Sequence, residues 1–539
     1  MSDTDRQGKG LTRKELLGSG AGVAATALLG QRGVEQALAA AAGKGGDGAA
    51  GMNVILFLTD QERAIQHFPQ NWLRQNLPGM RRLQRHGLNF ESACCSACMC
   101  SPSRTSLMTG YFPAQHQVKN TLEENMPAEK GYEQDEMPLP SEMPNIATVM
   151  KAAGYNVVYK GKWHCSKPEK EGEAKPSDLE KYGFGRWDPP DAGANQNPPE
   201  AGGGFIDNDG RFVNAKGEAA AGAEGAIEYL GSAAAQQQPF FMVISLVNPH
   251  DVLFYPSKTF SEAGYDDTWL EGDMEVPETW KEDLLSKPSV QRQFRRIMGF
   301  TGEPENKAQA RRYLNFYGNL MRSSDNYLVN VLDKLEETGL FDDTLIVRTS
   351  DHGEMGLSHG GLRQKNFNFY EETLRVPLVY SNPKLFPRPQ TTDALVSHVD
   401  LLPTLAGLVK APKSARAKWQ GVDYSKVVLN PRTAGEPQDY VVFTYDDMMS
   451  GQAKGPYPKP PNHIVSIREK RWKLAKYYDA AGKVPTQWEM YDLKTDPLEE
   501  TNLAFKGYER TPFQEKQLQR LKKKLARVEA QRLKPLATA

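Results

Sequence analysis

Cysteine is scarce in this chain: Cys94, Cys95, Cys98, Cys100 and Cys165 are the only five in 539 residues. Four of them lie within seven residues, so there is no dispersed disulfide framework of the kind that staples small secreted domains. Charge of one sign is also missing. The 66 basic and 67 acidic side chains give a formal net charge of −1, which removes the electrostatic basis for a nucleic-acid partner. Beyond residue 45 no apolar run approaches the ~20 residues of a membrane-spanning helix, so no stable span is expected. A hydrophobic content of 39% is enough for a packed interior. The chain is longer than one core usually holds, so two domains are expected.

Residues 1–45 read as an export signal and linker rather than as fold. Arg13 and Lys14 precede an apolar Gly/Ala stretch from Gly18 to Gly30, and Ala37-Leu38-Ala39 offers a small-residue cleavage site. Thr12-Arg13-Lys14-Glu15-Leu16-Leu17 resembles a twin-arginine signal with lysine in the second basic position. An exported protein, periplasmic or secreted, is expected, with a short uncleaved anchor as the alternative.

Four apolar runs, Asn53–Leu58, Tyr155–Tyr159, Phe240–Leu246 and Thr344–Arg348, read as buried parallel strands. Each releases polar residues as it ends: Asp60-Gln61, Lys162 with His164, His250, and Asp351-His352. Helical connectors over Met143–Ala153 and Arg311–Thr338 fit between them, stopped by Gly154 and Gly339. The pattern predicts a doubly wound, mostly parallel α/β sheet over residues 52–410, with ligands beyond the carboxyl ends of its strands. After the helical Asp400–Leu408, the runs Val441–Thr444, Ile464–Arg468 and Trp472–Tyr477 predict a small antiparallel sheet. The amphipathic stretch Pro512–Leu533, with Leu518, Leu521, Leu525 and Val528 at core spacing, completes a smaller α+β subdomain over 411–539. The loops 165–205 and 248–278 are expected to line a substrate site, with Trp269 and Trp280, within and just beyond the second, read either as a stacking platform or as hydrophobic anchors.

Asp60, Asp351 and His352, with Gln61 as a further oxygen donor, suit a hard or borderline divalent cation. Cys100 stands where Ser101 can cap and Pro102 can open a helix, so free N–H groups and the positive dipole end would face it. Arg104, one turn in, can reach back to the same charge. The four clustered cysteines leave two other readings open: a Cys-cluster metal-binding or redox protein, and a Cys94–Cys98 disulfide.

The stretch Cys100-Ser101-Pro102-Ser103-Arg104, closed by Thr109-Gly110, resembles the signature of the sulfatase family. The likeness continues through Gly154-Tyr155 to Lys162-Trp163-His164, through Ser350–Glu354, Gln364-Lys365 and Tyr370–Pro377, and into Trp472–Leu474 and Met490–Leu503. It implies an alkaline-phosphatase-like fold and a metal-dependent, arylsulfatase-like sulfuric ester hydrolase acting on a small-molecule or carbohydrate sulfate. Cys100 would be converted to formylglycine by a formylglycine-generating enzyme; the aldehyde hydrate would bind the metal and attack sulfur. The same resemblance makes Asp351 a base or orienting ligand, and gives Arg104, Lys162 and Lys365 the task of neutralising sulfate oxygens. His250 would protonate the leaving alcohol and His164 take a proton from the hydrate. Calcium is the first choice of ion, then magnesium or manganese. Sulfatases commonly carry two adjacent aspartates where this chain has Asp60-Gln61. Phosphonate monoester and phosphodiester hydrolases of the same superfamily also use the Asp-Gln form, and they are the alternative. His359 and His398 are left outside the site.

Overall fold

The four apolar runs lie side by side in one sheet because each is buried on both faces. In the computed structural model, which describes residues 48–536 apart from 65–66, 124–135, 169–172, 195–199, 215–222, 300–301 and 453–454, the strands are as follows. β1 is Asn53–Asp60, β2 Gly87–Phe90, β3 Ala93–Cys94, β4 Ala97–Cys98, β5 Asn156–Gly161, β6 Phe240–Pro249 and β7 Thr344–Ser350. They are followed by β8 Leu378–Ser381, β9 Gln390–Thr392, β10 Val396–Ser397, β11 Val441–Tyr445, β12 His463–Arg468, β13 Trp472–Tyr478 and β14 Gln487–Asp492. The expected export signal lies outside the described residues.

The main sheet has seven strands in the order β5-β6-β1-β7-β8-β2-β9. β1 pairs parallel with both β6 and β7, and β5 parallel with β6. The carboxyl ends of all four predicted strands therefore open on one edge, with β1 in the middle. β8 runs antiparallel to β7 and β2, so the sheet is mostly parallel, as expected for an alkaline-phosphatase-like fold. The long helix Lys307–Glu337 packs Leu328, Val331, Leu332 and Leu335 against Ile55, Phe57, Met242 and Ile244. Burial of each such side chain contributes about 1.5–3 kcal/mol. The helix Ile146–Ala152 starts on Asn145, whose side chain accepts from the N–H groups of Ala147 and Thr148. It stops at Gly154, whose φ of 88° closes the turn without a Cβ penalty; Gly339, at 71°, ends the long helix the same way.

The second sheet has the order β14-β13-β12-β11-β4. Pairs among β11 to β14 are antiparallel. The helix Pro512–Arg532 covers them with Leu518, Leu521, Leu525 and Val528. All strands of the main sheet precede residue 410 and β11 to β14 follow it, but β4 pairs parallel with β11 and belongs to the second sheet.

This crossing decides the fate of the cysteine cluster. β3, carrying Cys94, pairs with β10, whereas β4, carrying Cys98, pairs with β11. The two thiols lie in different sheets and all five cysteines are free and buried, so the disulfide allowed by spacing does not form. Among the described residues only Cys100 of the four joins a cluster of metal-type donor atoms.

One buried histidine makes the fold sensitive to acid. His116 accepts from Val118 N–H at Nδ1 (3.1 Å) and meets Ser106 Oγ at Nε2 (3.0 Å), so the neutral ring is fully used. Burial pushes its imidazole down to about 3. Between pH ~6.5 and 3 the unfolded chain therefore holds the extra proton, and stability is lost as pH falls, by about 1.4 kcal/mol per pH unit. His398, also held at about 3 by burial, acts in the same direction. Asp209 and Glu499, which burial holds up at about 7, pull the other way over the same range, so the test is comparative: between pH 7 and pH 5 the urea midpoint of His116→Gln should fall less than that of wild type, and an equal change would contradict this.

Candidate active site

β1 delivers Asp60 at its last position, fully buried, and Gln61 follows in a left-handed turn with φ 67°. β7 ends one residue before Asp351 and His352. The helix Cys100–Thr109 begins at Cys100 itself; Met99 precedes it without a side-chain cap, and Ser101 Oγ instead accepts from Leu122 N–H at 3.0 Å. The expected Ser101 cap is thus a clamp on the 121–123 segment. Cys100 remains at the amino end of a ten-residue helix.

These elements bring Asp60, Cys100, Asp351 and His352 into one buried cluster, with a donor atom of each within 4.8 Å of the others. Cys100 Sγ lies 3.1 Å from His352 Nε2 and 3.6 Å from Asp60 Oδ1. His352 Nδ1 is 3.1 Å from the Gly353 carbonyl, which takes the ring proton and leaves the Nε2 lone pair facing the cluster. Asp60 divides its oxygens: Oδ2 takes Lys162 Nζ at 2.7 Å and Arg104 Nη2 at 3.0 Å, while Oδ1 faces Cys100 and His352. Burial alone would raise the Asp60 carboxyl, but Lys162, then His250 and Arg104, hold it well below the usual carboxylate range.

Arg104 is completely buried and uses its whole fork. Nε donates to Asp351 Oδ2 (2.9 Å), Nη2 to Asp60 Oδ2 (3.0 Å), and Nη1 to both the Lys162 carbonyl (3.0 Å) and Ser245 Oγ (2.7 Å). Burial lowers its pKa, yet Asp351 and Asp60 more than reverse that. Asp351 Oδ1 in turn accepts from the N–H groups of Gln61 (3.0 Å) and His352 (2.9 Å). Lys365 Nζ donates to Gln61 Oε1 at 2.5 Å, and Gln61 Nε2 donates to Glu354 Oε2 at 2.5 Å. The Gln61 oxygen therefore already carries a lysine.

His164 sits at φ 56°, held there because Asp191 accepts from Trp163 N–H (2.7 Å) and His164 N–H (2.8 Å). Its Nε2 donates to the Leu122 carbonyl at 2.7 Å, and its Nδ1 has no partner among the described residues. Burial, then Lys162 and Arg104, keep the imidazole well below its ordinary value. His250 begins the 3₁₀ turn after β6 and is likewise held low by burial and by Lys365. Asp209 accepts from the N–H groups of Val247 (2.7 Å) and Asn248 (3.0 Å), fixing the chain that leads to it.

Cys100, His164, His250 and Lys365 all line a cavity of about 240 Å³. The loops expected to line it contribute Gly193, Ala201 and residues between His250 and Thr259, and residues 450–452 of the connection between β11 and β12 join them. Trp269 and Trp280 do not line it: Trp269 packs on Tyr265 and Phe316 in an aromatic core beside the long helix, and Trp280 lies against the same core in a turn that packs on residues 358–361. Asp191, Asp209, Ser245, Glu354 and Glu123 are site-shaping residues that sequence reading missed. Glu354 closes the Ser350–Glu354 motif but was given no role, and the other four have no motif around them.

A mostly parallel sheet that gathers donor atoms, three buried cations and a helix-start cysteine on its carboxyl edge defines a hydrolase of alkaline-phosphatase-like fold. The family model described as Sulfatase matches residues 52–411, and the one described as N-sulphoglucosamine sulphohydrolase, C-terminal, matches 359–531. The chain belongs to the sulfatase family and is a sulfuric ester hydrolase. An ulvan-active sulfatase of Formosa agariphila is 27% identical over 84% of this chain and 77% of its own. A 2-O GAG sulfatase superposes with a TM-score of 0.64 at 20% identity, covering 89% of this chain and 92% of the other. The phosphonate monoester hydrolase of Agrobacterium radiobacter superposes at 0.62 with 19% identity, covering 89% and 96%. At these identities the two superpositions establish the fold.

Proposed function

We propose that this sulfatase removes sulfate from a carbohydrate, using a formylglycine made from Cys100 and a divalent cation. The observation that carries this reading is the contact of Cys100 Sγ with His352 Nε2 and Asp60 Oδ1 inside one buried cluster. The donor set fits a hard ion: two carboxylates, one imidazole with its lone pair turned inward, and an amide oxygen. Asp60, Gln61, Asp351, His352 and residue 100 would hold it, with Gln61 using its second lone pair beside Lys365. Calcium suits the carboxylate share best, ahead of magnesium or manganese. When present, the ion supplies Lewis-acid polarisation and the formylglycine supplies an oxygen nucleophile.

The chain's own side chains do the rest. Lys162, Lys365 and Arg104 provide fixed positive charge in a water-excluded pocket, where it counts most against sulfate oxygens. His164 donates to Leu122 from Nε2, so Nδ1 is the position at which it takes a proton. His250 supplies the leaving-group proton; the negative charge of the substrate offsets the burial and the Lys365 field that hold its imidazole down. The sugar assignment draws on the names of the relatives, GAG and sulphoglucosamine among them. Arg13-Lys14 and the apolar stretch after them support export, and a formylglycine-generating enzyme is the implied maturation partner.

Protein co-produced with a formylglycine-generating enzyme tests this directly. Monosulfated sugars and aryl sulfate should be turned over at least about 100-fold faster than phosphodiesters or phosphonate monoesters. Chelation should abolish turnover and calcium restore it. A preference for the phosphorus esters would move the assignment to the neighbouring hydrolases of the superfamily.

A further inference from the structure

The mechanism leaves one buried acidic group of the cavity unused. Glu123 lines the cavity that holds Cys100, His164 and Lys365, is 7% exposed, and its Oε2 has no hydrogen-bond partner among the described residues. An unpaired carboxyl oxygen inside a protein is costly unless a ligand supplies a donor.

The two residues before it are held on both faces. Thr121 donates to Asp447 Oδ2 from both N–H (3.0 Å) and Oγ1 (2.7 Å). Leu122 N–H donates to Ser101 Oγ on the cysteine-bearing helix (3.0 Å), and the Leu122 carbonyl accepts from His164 Nε2 (2.7 Å). The residue after Leu122 is thereby tied to the same helix and histidine that build the reaction centre. Burial, only partly offset by Lys162, pushes the Glu123 carboxyl well above its ordinary range, so it can give as well as take a hydrogen bond. Phe254 and Phe294 supply apolar wall in the same cavity. A volume of about 240 Å³ falls below the roughly 300–1,000 Å³ of drug-sized sites; that is room for one ring.

We infer that Glu123 selects the leaving group, pairing with a ring hydroxyl of a single sulfated sugar whose apolar face lies on Phe254 and Phe294. The inference rests on the sulfate-ester reading above and adds the group that distinguishes a sugar from a plain alcohol. One hydroxylated ring, rather than an internal unit of a long polymer, is the substrate it describes.

The test compares monosulfated hexopyranoses, one for each sulfate position, with cyclohexyl sulfate, which has the ring without the hydroxyls. The readout is the ratio of kcat/KM for the best sugar sulfate to that for cyclohexyl sulfate. Loss of overall activity from a structural defect would lower both and leave this ratio alone. The wild-type ratio should exceed about 100, and Glu123→Ala should lower it about 10–100-fold. Glu123→Gln, isosteric and still hydrogen-bonding, should lower it less, and it carries the comparison if the alanine variant does not fold. A ratio unchanged in both variants, or a wild type without preference, overturns the inference while leaving sulfate hydrolysis intact. Absence of hydrolysis of every sulfate by formylglycine-bearing wild type overturns the sulfate reading itself, and this inference with it.

Discussion

Replacing Cys100 by alanine lowers kcat by a factor on the order of 10⁶, the scale seen when a covalent nucleophile is deleted, with the circular dichroism spectrum and thermal midpoint close to wild type. Cys100 is the first residue of its helix and lines the cavity, so a smaller side chain there disturbs little packing. Burial and the neighbouring Asp60 push the encoded thiol up to about 11, and a thiol offers no second hydroxyl with which to expel a transferred sulfate, as the proposed aldehyde hydrate does. Protein made without the modifying enzyme should therefore be nearly as inactive as the alanine variant. Cys100→Ser restores a hydroxyl but provides only one, so a sulfate taken up by the serine has no second hydroxyl to help expel it. Intact-mass measurement after mixing with substrate should show a persistent sulfated enzyme and no sustained turnover. Rapid multiple turnover by the serine variant would contradict the chemistry assigned to position 100.

Arg104→Met should be the most damaging single change to both fold and activity. Its guanidinium holds Asp60 and Asp351 at once and also ties the Lys162 carbonyl to Ser245. Removing it takes the guanidinium from buried Asp351 and leaves Asp60 with Lys162 alone, which costs about 3–5 kcal/mol. Lysine should recover only part of this, since one ammonium cannot reproduce the planar fork. Urea unfolding should show the loss at pH 7, and added calcium should recover some of it, because an ion in the carboxylate cluster compensates the same charges. A methionine variant as stable and active as wild type would mean that the arginine is not the hub of the site.

Much of this was legible in the sequence because it was periodic or clustered. Asn53–Leu58 and Thr344–Arg348 are long apolar runs, and a run buried on both faces has few alternatives to a central parallel strand. Asp60, Asp351 and His352 could be placed because each leaves such a strand at its carboxyl end. β3, β4 and β10 were not legible: two-residue strands carry no period, and their pairing is imposed by tertiary context. Missing them hid why Cys94 and Cys98 cannot meet. Glu123 and Asp191 were invisible for a related reason, since a single carboxylate in a loop looks the same whether it faces solvent or a buried backbone N–H. Trp269 and Trp280 were open in sequence between a stacking platform and hydrophobic anchors, and their packing against the aromatic core shows them to be anchors.

The most direct measurement is the mass of the tryptic peptide from His86 to Arg104, taken from protein made with a formylglycine-generating enzyme. A mass lower by the thiol-to-aldehyde change at Cys100, together with reaction with a hydrazide probe, is the expected result. An unmodified thiol at Cys100 in fully active protein would contradict the proposed nucleophile and return the cysteine cluster to consideration.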